Sequence, residues 1–373
     1  VSPSAAKPHL YIGVWTPKPE KRSLTPRLDL CGPSAPEFIP NAENILSAAG
    51  DLAEGVLFPG AVITDKASLV PRSNLDALAG ADLYGLVGPR EAGGLGLEMG
   101  PTAWRVIETL AGGCLATTFV WMQHHTAVTT VAGASAETRD RWLFPLCRGE
   151  RRAGIALGGV LPGDPRLTIT EASDGLILDG TSPWVTGWGL IDVLLVAARR
   201  GDELMWIMVD AAESETMTVD RLALVACNAS ATVSLTFRHH RVGKDRVVGM
   251  MPFAAWPERD ANSLRTNGAL ALGVASRCCR MIGPGPLDDQ LDAARSRLHT
   301  ARTAEIPTAR AAAAELAWRA AGALLVSQGS GSIIVDQHAQ RLAREAMFIL
   351  LFGTRPAIKQ SLLASLTRAP AES

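Results

Sequence analysis

GLILDGTSPWVTGWGLIDVLLVAA, residues 175–198, holds two short apolar runs around an aromatic, glycine-flanked centre. Leu176-Ile177-Leu178 is closed by the turn-forming pair Asp179-Gly180, and Ile191 to Val196 form an apolar, β-branched run of strand length. Between them, Ser182-Pro183-Trp184-Val185-Thr186-Gly187-Trp188-Gly189 suits a wall built to hold a flat ring. Indoles offer broad stacking surfaces, and a threonine hydroxyl can hydrogen-bond a ring nitrogen. An aromatic-rich sheet core accounts for the same residues without a ligand, and on these residues alone it ranks first.

Outward from this stretch, short apolar runs alternate with turns from residue 150 to residue 250. That rhythm describes a small antiparallel sheet or barrel. Both flanks are helical. Ile45, Leu46, Ala49, Leu52, Ala53, Val56 and Leu57 recur at helical spacing before Pro59-Gly60. Further helices are expected over 73–83, 101–111, 114–132 and 136–143, the last ending near Pro145. Beyond residue 262 come 287–304, 308–327, 335–351 and 358–366, after a break at Gly283-Pro284-Gly285-Pro286. The expected class is therefore α+β and multi-domain. A helical domain over 41–149 precedes a β domain over 150–250 and a four-helix-bundle-like domain over 251–373. Residues 1–40 are proline-rich and read as a poorly ordered arm with one strand at 10–15.

Composition narrows the function. The 373 residues are 47% hydrophobic with a formal charge of −1, so no global field attracts nucleic acid or an anionic membrane. Six cysteines without metal-ligand spacing point to reduced thiols and a cytoplasmic setting. No amino-terminal signal pattern and no run of about 18 apolar residues is seen. The glycine-rich segment 85–96 is a weak phosphate motif, since no strand leads into it. His124 and His125 are adjacent, so on a helix they point about 100° apart and cannot share a metal. At most one faces a cleft.

Together these segments resemble the acyl-CoA dehydrogenase family over residues 41–366. GLVGPREAGGLG at 85–96 is similar to the family's "GL..l.vPeeyGGlG", and RDRWLFPLCRGE at 139–150 to its "K.r(y/w)LP.la.Ge". Gly180 followed by Trp184-Val185-Thr186 resembles "G.K.WIT", and FRHHRVGKDRVVG at 237–249 resembles "F.dvrVP.e.llG". Arg344-Glu345-Ala346 and Gly353-Thr354 are similar to the terminal "RDA" helix and "YEGT". The resemblance implies FAD between the β domain and the carboxy-terminal helices, with Trp184, Val185 and Thr186 at the isoalloxazine. It extends cofactor contact to Gly158, Gln328, Gly329, Gly331 and Thr354. It also implies an acyl thioester substrate, on coenzyme A or a carrier protein, and a homodimer or homotetramer.

The chain departs from the family where the base belongs. Phe352 stands at the glutamate of "YEGT" and cannot accept a proton. Some members carry that glutamate on the first carboxy-terminal helix. The matching position falls near Ser263, with Glu258 and Asp260 as the nearest carboxylates. The "TEP.aGSD" loop is reduced to GGVLPGDP at 158–165, and the "R..FG" segment has no counterpart between Met281 and Ile306. Three readings stay open. One is a flavoenzyme working without the usual glutamate, whether a monooxygenase or a dehydrogenase with a displaced base at Glu258, Asp260 or His124. The second is a non-catalytic subunit paired with a catalytic homologue, and the third a thioester-binding protein. Arg344 is expected in a structural ion pair, and Cys278 and Cys279 in the core.

Overall fold

The computed structural model describes residues 41–160 and 166–368. The proline-rich arm, with its expected strand and Cys31, lies outside the described residues. Asn41 opens the first helix by accepting from the Asn44 amide at 2.8 Å, which satisfies one orphan donor. Helix α1 (Ala42–Leu52), a π-helical turn (Ala53–Leu57) and α2 (Phe58–Lys66) then run as one rod. By length and composition this rod of 25 residues is apolar enough to cross a bilayer. Ile45, Ala49, Ala53, Leu57 and Ala61 nevertheless form a buried stripe along it, docked on the protein core. A strict four-residue stripe drifts around an α-helix, and the wider π turn brings it back into line.

Helices α3 (Arg72–Gly80), α4 (Pro101–Gly113), α5 (Leu115–Ala132) and α6 (Ala136–Cys147) complete the first helical region. The expected stop near Pro145 is corrected, because α6 continues to Cys147. Pro145 removes one amide donor, while Trp142, Leu143, Leu146 and Cys147 are buried by keeping the helix whole. The glycine-rich segment is a folded knot of backbone. A Cβ on Gly94 would meet the Gly88 carbonyl oxygen at 2.2 Å, so these glycines serve packing rather than an anion cradle.

Eight strands follow: β1 (Ala153–Ala156), β2 (Leu167–Ala172), β3 (Gly175–Val185), β4 (Val193–Arg200), β5 (Glu203–Asp210), β6 (Met217–Arg221), β7 (Val233–Val242) and β8 (Val247–Pro252). They form one sheet in the order β6-β7-β3-β2-β4-β5-β8, with β1 on β4. The sheet is mixed rather than wholly antiparallel, since β1 runs parallel to β4 in the register Ala153↔Val193. Asp179-Gly180 is not a turn. Strand β3 continues through a bulge there, with Gly180 at φ +120° and no room for a Cβ, which would lie 1.9 Å from the Arg166 carbonyl oxygen. Strand β4 is apolar from Val193 to Ala198 because it serves two cores. Leu194, Val196 and Ala198 pack inside the sheet, while Val193, Leu195 and Ala197 join the helical core.

Five helices close the chain: α7 (Trp256–Ile282), α8 (Pro286–Thr300), α9 (Ile306–Gln328), α10 (His338–Leu351) and α11 (Pro356–Leu366). Helices α4 and α7 cross backbone to backbone, and a Cβ on Gly273 would meet the Glu108 carbonyl oxygen at 2.3 Å. Arg344 makes a forked ion pair with Asp65 of α2 and donates to the Val225 carbonyl at 2.9 Å. It thereby ties α10 to both the first helical region and the loop after β6. Cys278 and Cys279 are buried free thiols.

Candidate functional site

A cavity of about 1000 Å³ opens between the sheet and helices α4, α5, α7 and α10. Its sheet-side wall is the WVT segment. Strand β3 pairs with β7 up to Ser182↔Leu235 and resumes at Val185↔Val233, so Pro183-Trp184 bulge out against a single residue. Trp184 sits at φ +62°, a left-handed conformation that a non-glycine residue adopts only under constraint. Its indole is 65% exposed and lines the cavity. Gly158 packs beneath the bulge, where a Cβ would come within 2.3 Å of the Pro183 carbonyl oxygen. Thr186 is buried, lines the cavity, and shares one long 3.3 Å hydrogen bond with the Thr232 hydroxyl. That leaves Thr186 capacity for another partner.

Phe352, at the position expected for a base, lines the opposite side. Its ring meets Phe119 of α5 edge-on at 4.6 Å and stacks with Phe348 of α10 at 5.5 Å. Thr354 also lines the cavity, its hydroxyl donating to the Leu351 carbonyl at 3.0 Å. Asp260 reaches the cavity but is engaged, accepting from Arg355 Nε and Nη2 at 2.7 Å each. Glu258, on the exposed first turn of α7, does not line it. Ser263 does, and donates to the Asp260 carbonyl at 2.6 Å. Among the described residues, no carboxylate free of an ion pair lines the cavity.

The histidine pair resolves in favour of the other member. His124, named from the sequence as a displaced base, is tied into the core. Its Nε2 lies 3.0 Å from the Leu146 carbonyl and its Nδ1 accepts from the Ala153 amide at 2.9 Å. His125 lines the cavity instead, edge-on to Trp121 at 4.5 Å and without a protein partner for either ring nitrogen. Burial pushes His124 down to about 3, and burial followed by the neighbouring His124 holds His125 well below the usual histidine range. Both rings are neutral at ordinary pH.

Six other residues of the motifs read from the sequence lie off the cavity. The Val185 side chain joins the core inside the sheet, since strand alternation turns it away from the Trp184 face. Gln328, Gly329 and Gly331 form an exposed turn at the end of α9. His239 and His240 sit on β7, outside the site. Conversely, the cavity gathers residues that the sequence reading did not single out, among them Trp104, Phe119, Trp206 and Trp256. The signal that would have found them is their share of the scarce rings: nine tryptophans and eight phenylalanines in the chain.

Comparison with known proteins agrees with this architecture. Residues 40–150 match the family model described as acyl-CoA dehydrogenase, N-terminal domain. The mitochondrial short-chain specific acyl-CoA dehydrogenase of Rattus norvegicus is 24% identical over 211 residues, 53% of this chain and 51% of the relative. The chain thus spans about half the length of the curated relatives it matches first. A glutaryl-coenzyme A dehydrogenase in its glutaryl-CoA complex superposes with a TM-score of 0.77 at 17% identity, covering 87% of this chain and 94% of that one. PigA with FAD and proline superposes at 0.75 and 16% identity, covering 88% and 98%. Residues 40–150 thus match the acyl-CoA dehydrogenase N-terminal domain, and the chain carries the acyl-CoA dehydrogenase fold.

Proposed function

We propose that this chain is a FAD-dependent oxidoreductase that acts on an acyl thioester or a related small molecule without the α-proton abstraction of a dehydrogenase glutamate. The observation that carries the reading is the strained Trp184 bulge beside the under-satisfied Thr186 hydroxyl, on the wall of a cavity of about 1000 Å³. That volume lies at the top of the range for small-molecule sites, roughly 300–1,000 Å³. Trp184 would stack on the flavin, Thr186 would hydrogen-bond its ring, and Gly158 and Thr354 would border it. When bound, FAD supplies the electron-accepting or oxygen-reacting group, and the protein supplies orientation and exclusion of water. With Phe352 at the base position and Asp260 held by Arg355, α,β-dehydrogenation lacks a free carboxylate as proton acceptor.

A second reading, a non-catalytic subunit paired with a catalytic homologue, is favoured by the same lack of a free carboxylate. Self-association is part of the proposal. Val326, Ile333, Ile334 and Val335 are exposed around the turn that holds Gln328, Gly329 and Gly331. Such a patch suits burial against a second copy, and any cofactor contact from those three residues would fall across that interface. The free buried thiols support a reducing, cytoplasmic setting.

The test is a visible absorption spectrum of the purified protein with chromatography of what denaturation releases. A yellow protein that releases FAD is the expected result. A colourless protein that takes up no added FAD would overturn the enzyme reading and leave the subunit reading, to be tested by co-purification with a catalytic homologue.

A further inference from the structure

The helical side of the cavity is built differently from the sheet side. It presents Trp104 from α4, Phe119 and Met122 from α5, and Phe348 and Phe352 from α10 and its end. Phe119 lies T-shaped to both Phe348, at 5.2 Å, and Phe352, at 4.6 Å, while Phe348 and Phe352 are parallel to within 7°. Trp256 tilts against Trp206 at 5.8 Å on the neighbouring side. Helices α4, α5 and α10 contribute no charged side chain to the lining, and His125 among them is neutral. The charged lining groups, Arg259, Asp260, Arg265 and Arg355, come from α7 and the start of α11.

Rings arranged edge-to-face leave both a π-face and a hydrogen-rich edge for a further ring, the pairings aromatic groups prefer. A linear alkyl chain gains only area from such a wall. The residue that removes the carboxylate, Phe352, is also the one that completes the cluster.

We propose that the substrate carries an uncharged aromatic ring, and that the Phe119–Phe348–Phe352 cluster is the subsite that selects it over a linear acyl chain. The inference deepens the proposed function and rests on its reading of this cavity as the ligand site. Phe352 is then a specificity-determining residue.

The test is isothermal titration of the full-length protein with two matched pairs of probes: 2-naphthylacetic and decanoic acids, and phenylacetyl-CoA and hexanoyl-CoA. Ring-on-ring contacts of this kind give a preference of about tenfold for the aromatic member. Phe352→Leu and Phe119→Leu, which keep apolar volume but remove a ring, are expected to erase most of that ratio. Because the ratio is taken within each variant, partial loss of folded protein cancels. Equal or tighter binding of the linear member, an unchanged ratio in both variants, or no binding by any of the four probes would overturn the proposal. Flavin absorbance, read on the same samples, reports separately on the proposed function. A yellow protein without aromatic preference loses only this inference.

Discussion

Asp260 is the carboxylate nearest to where a displaced base belongs, and its geometry assigns it other work. Both oxygens accept from Arg355 at 2.7 Å, and the two side chains are only 10% and 18% exposed. A carboxylate held by a bidentate guanidinium is a poor acceptor for a substrate proton. Asp260→Asn leaves Arg355 without its counter-charge, so it should cost about 3 kcal/mol, the lower end for breaking a buried pair. Urea unfolding measures this; wild-type stability in the variant would return Asp260 to the list of bases. The contrast shows what single residues disclose. Trp184 and Thr186, singled out from the sequence for their chemistry, both line the cavity. His124 and His125 were not separable, because helical phase alone does not say which of two neighbours meets a cleft. The Val185 side chain lies off the cavity because inclusion in a motif does not override strand alternation, which turns every second side chain away.

At the scale of elements, the helices were readable from apolar spacing, and their ends were the weaker part. Pro145 read as a stop, yet burial of Trp142, Leu143, Leu146 and Cys147 outweighs one missing amide bond. Asp179-Gly180 read as a turn, because a bulge and a turn both call for glycine at positive φ, and only pairing with β7 separates them. No local pattern announces the crossing of α4 and α7, although it places Trp104 and the Asp260–Asn267 segment around one cavity. Gly273 sets that crossing, since a Cβ would meet Glu108 O at 2.3 Å and Ala111 Cβ at 2.7 Å. Gly273→Leu should force the helices apart and cost about 3 kcal/mol or more by overpacking. Gly322, on the exposed face of α9 with nothing within 4 Å of a Cβ, gives the opposite sign. Gly322→Ala should stabilise by about 0.5–1 kcal/mol through helix propensity. Chemical-denaturation midpoints of the pair check the crossing, and a Gly273→Leu protein as stable as wild type would contradict it.

The whole molecule answers to pH through histidines that folding keeps neutral. In the unfolded chain a histidine takes up its proton near pH 6.5; in the folded chain His124 does so only at about 3, and His125 well below the usual range. Between those limits the unfolded state binds more protons, so stability is full above about pH 6.5 and falls as the solution is acidified. Each of these two buried rings removes about 1.4 kcal/mol per pH unit once its unfolded counterpart is charged. His338, pushed down to about 4 by burial and then by Arg341, acts in the same direction. So do His240 and His299, lowered mainly by burial, and all three are discounted for their partial exposure. Glu345 opposes them, since burial raises its carboxyl and the folded state takes up that proton first. Glu54, held down chiefly by its hydrogen bond to Arg277, weakens the fold only once the pH falls into the ordinary carboxylate range, where the unfolded state takes up its proton first. Denaturation midpoints measured from pH 7.5 down to pH 5 should therefore fall steeply below 6.5, in a window where carboxylates hardly titrate. His125→Leu removes a ring whose nitrogens have no protein partner, so it should flatten the slope by about one proton and raise stability at pH 5. A midpoint independent of pH across that window would mean that His124 and His125 are charged in the folded protein, and the neutral cavity wall on α5 would go with them.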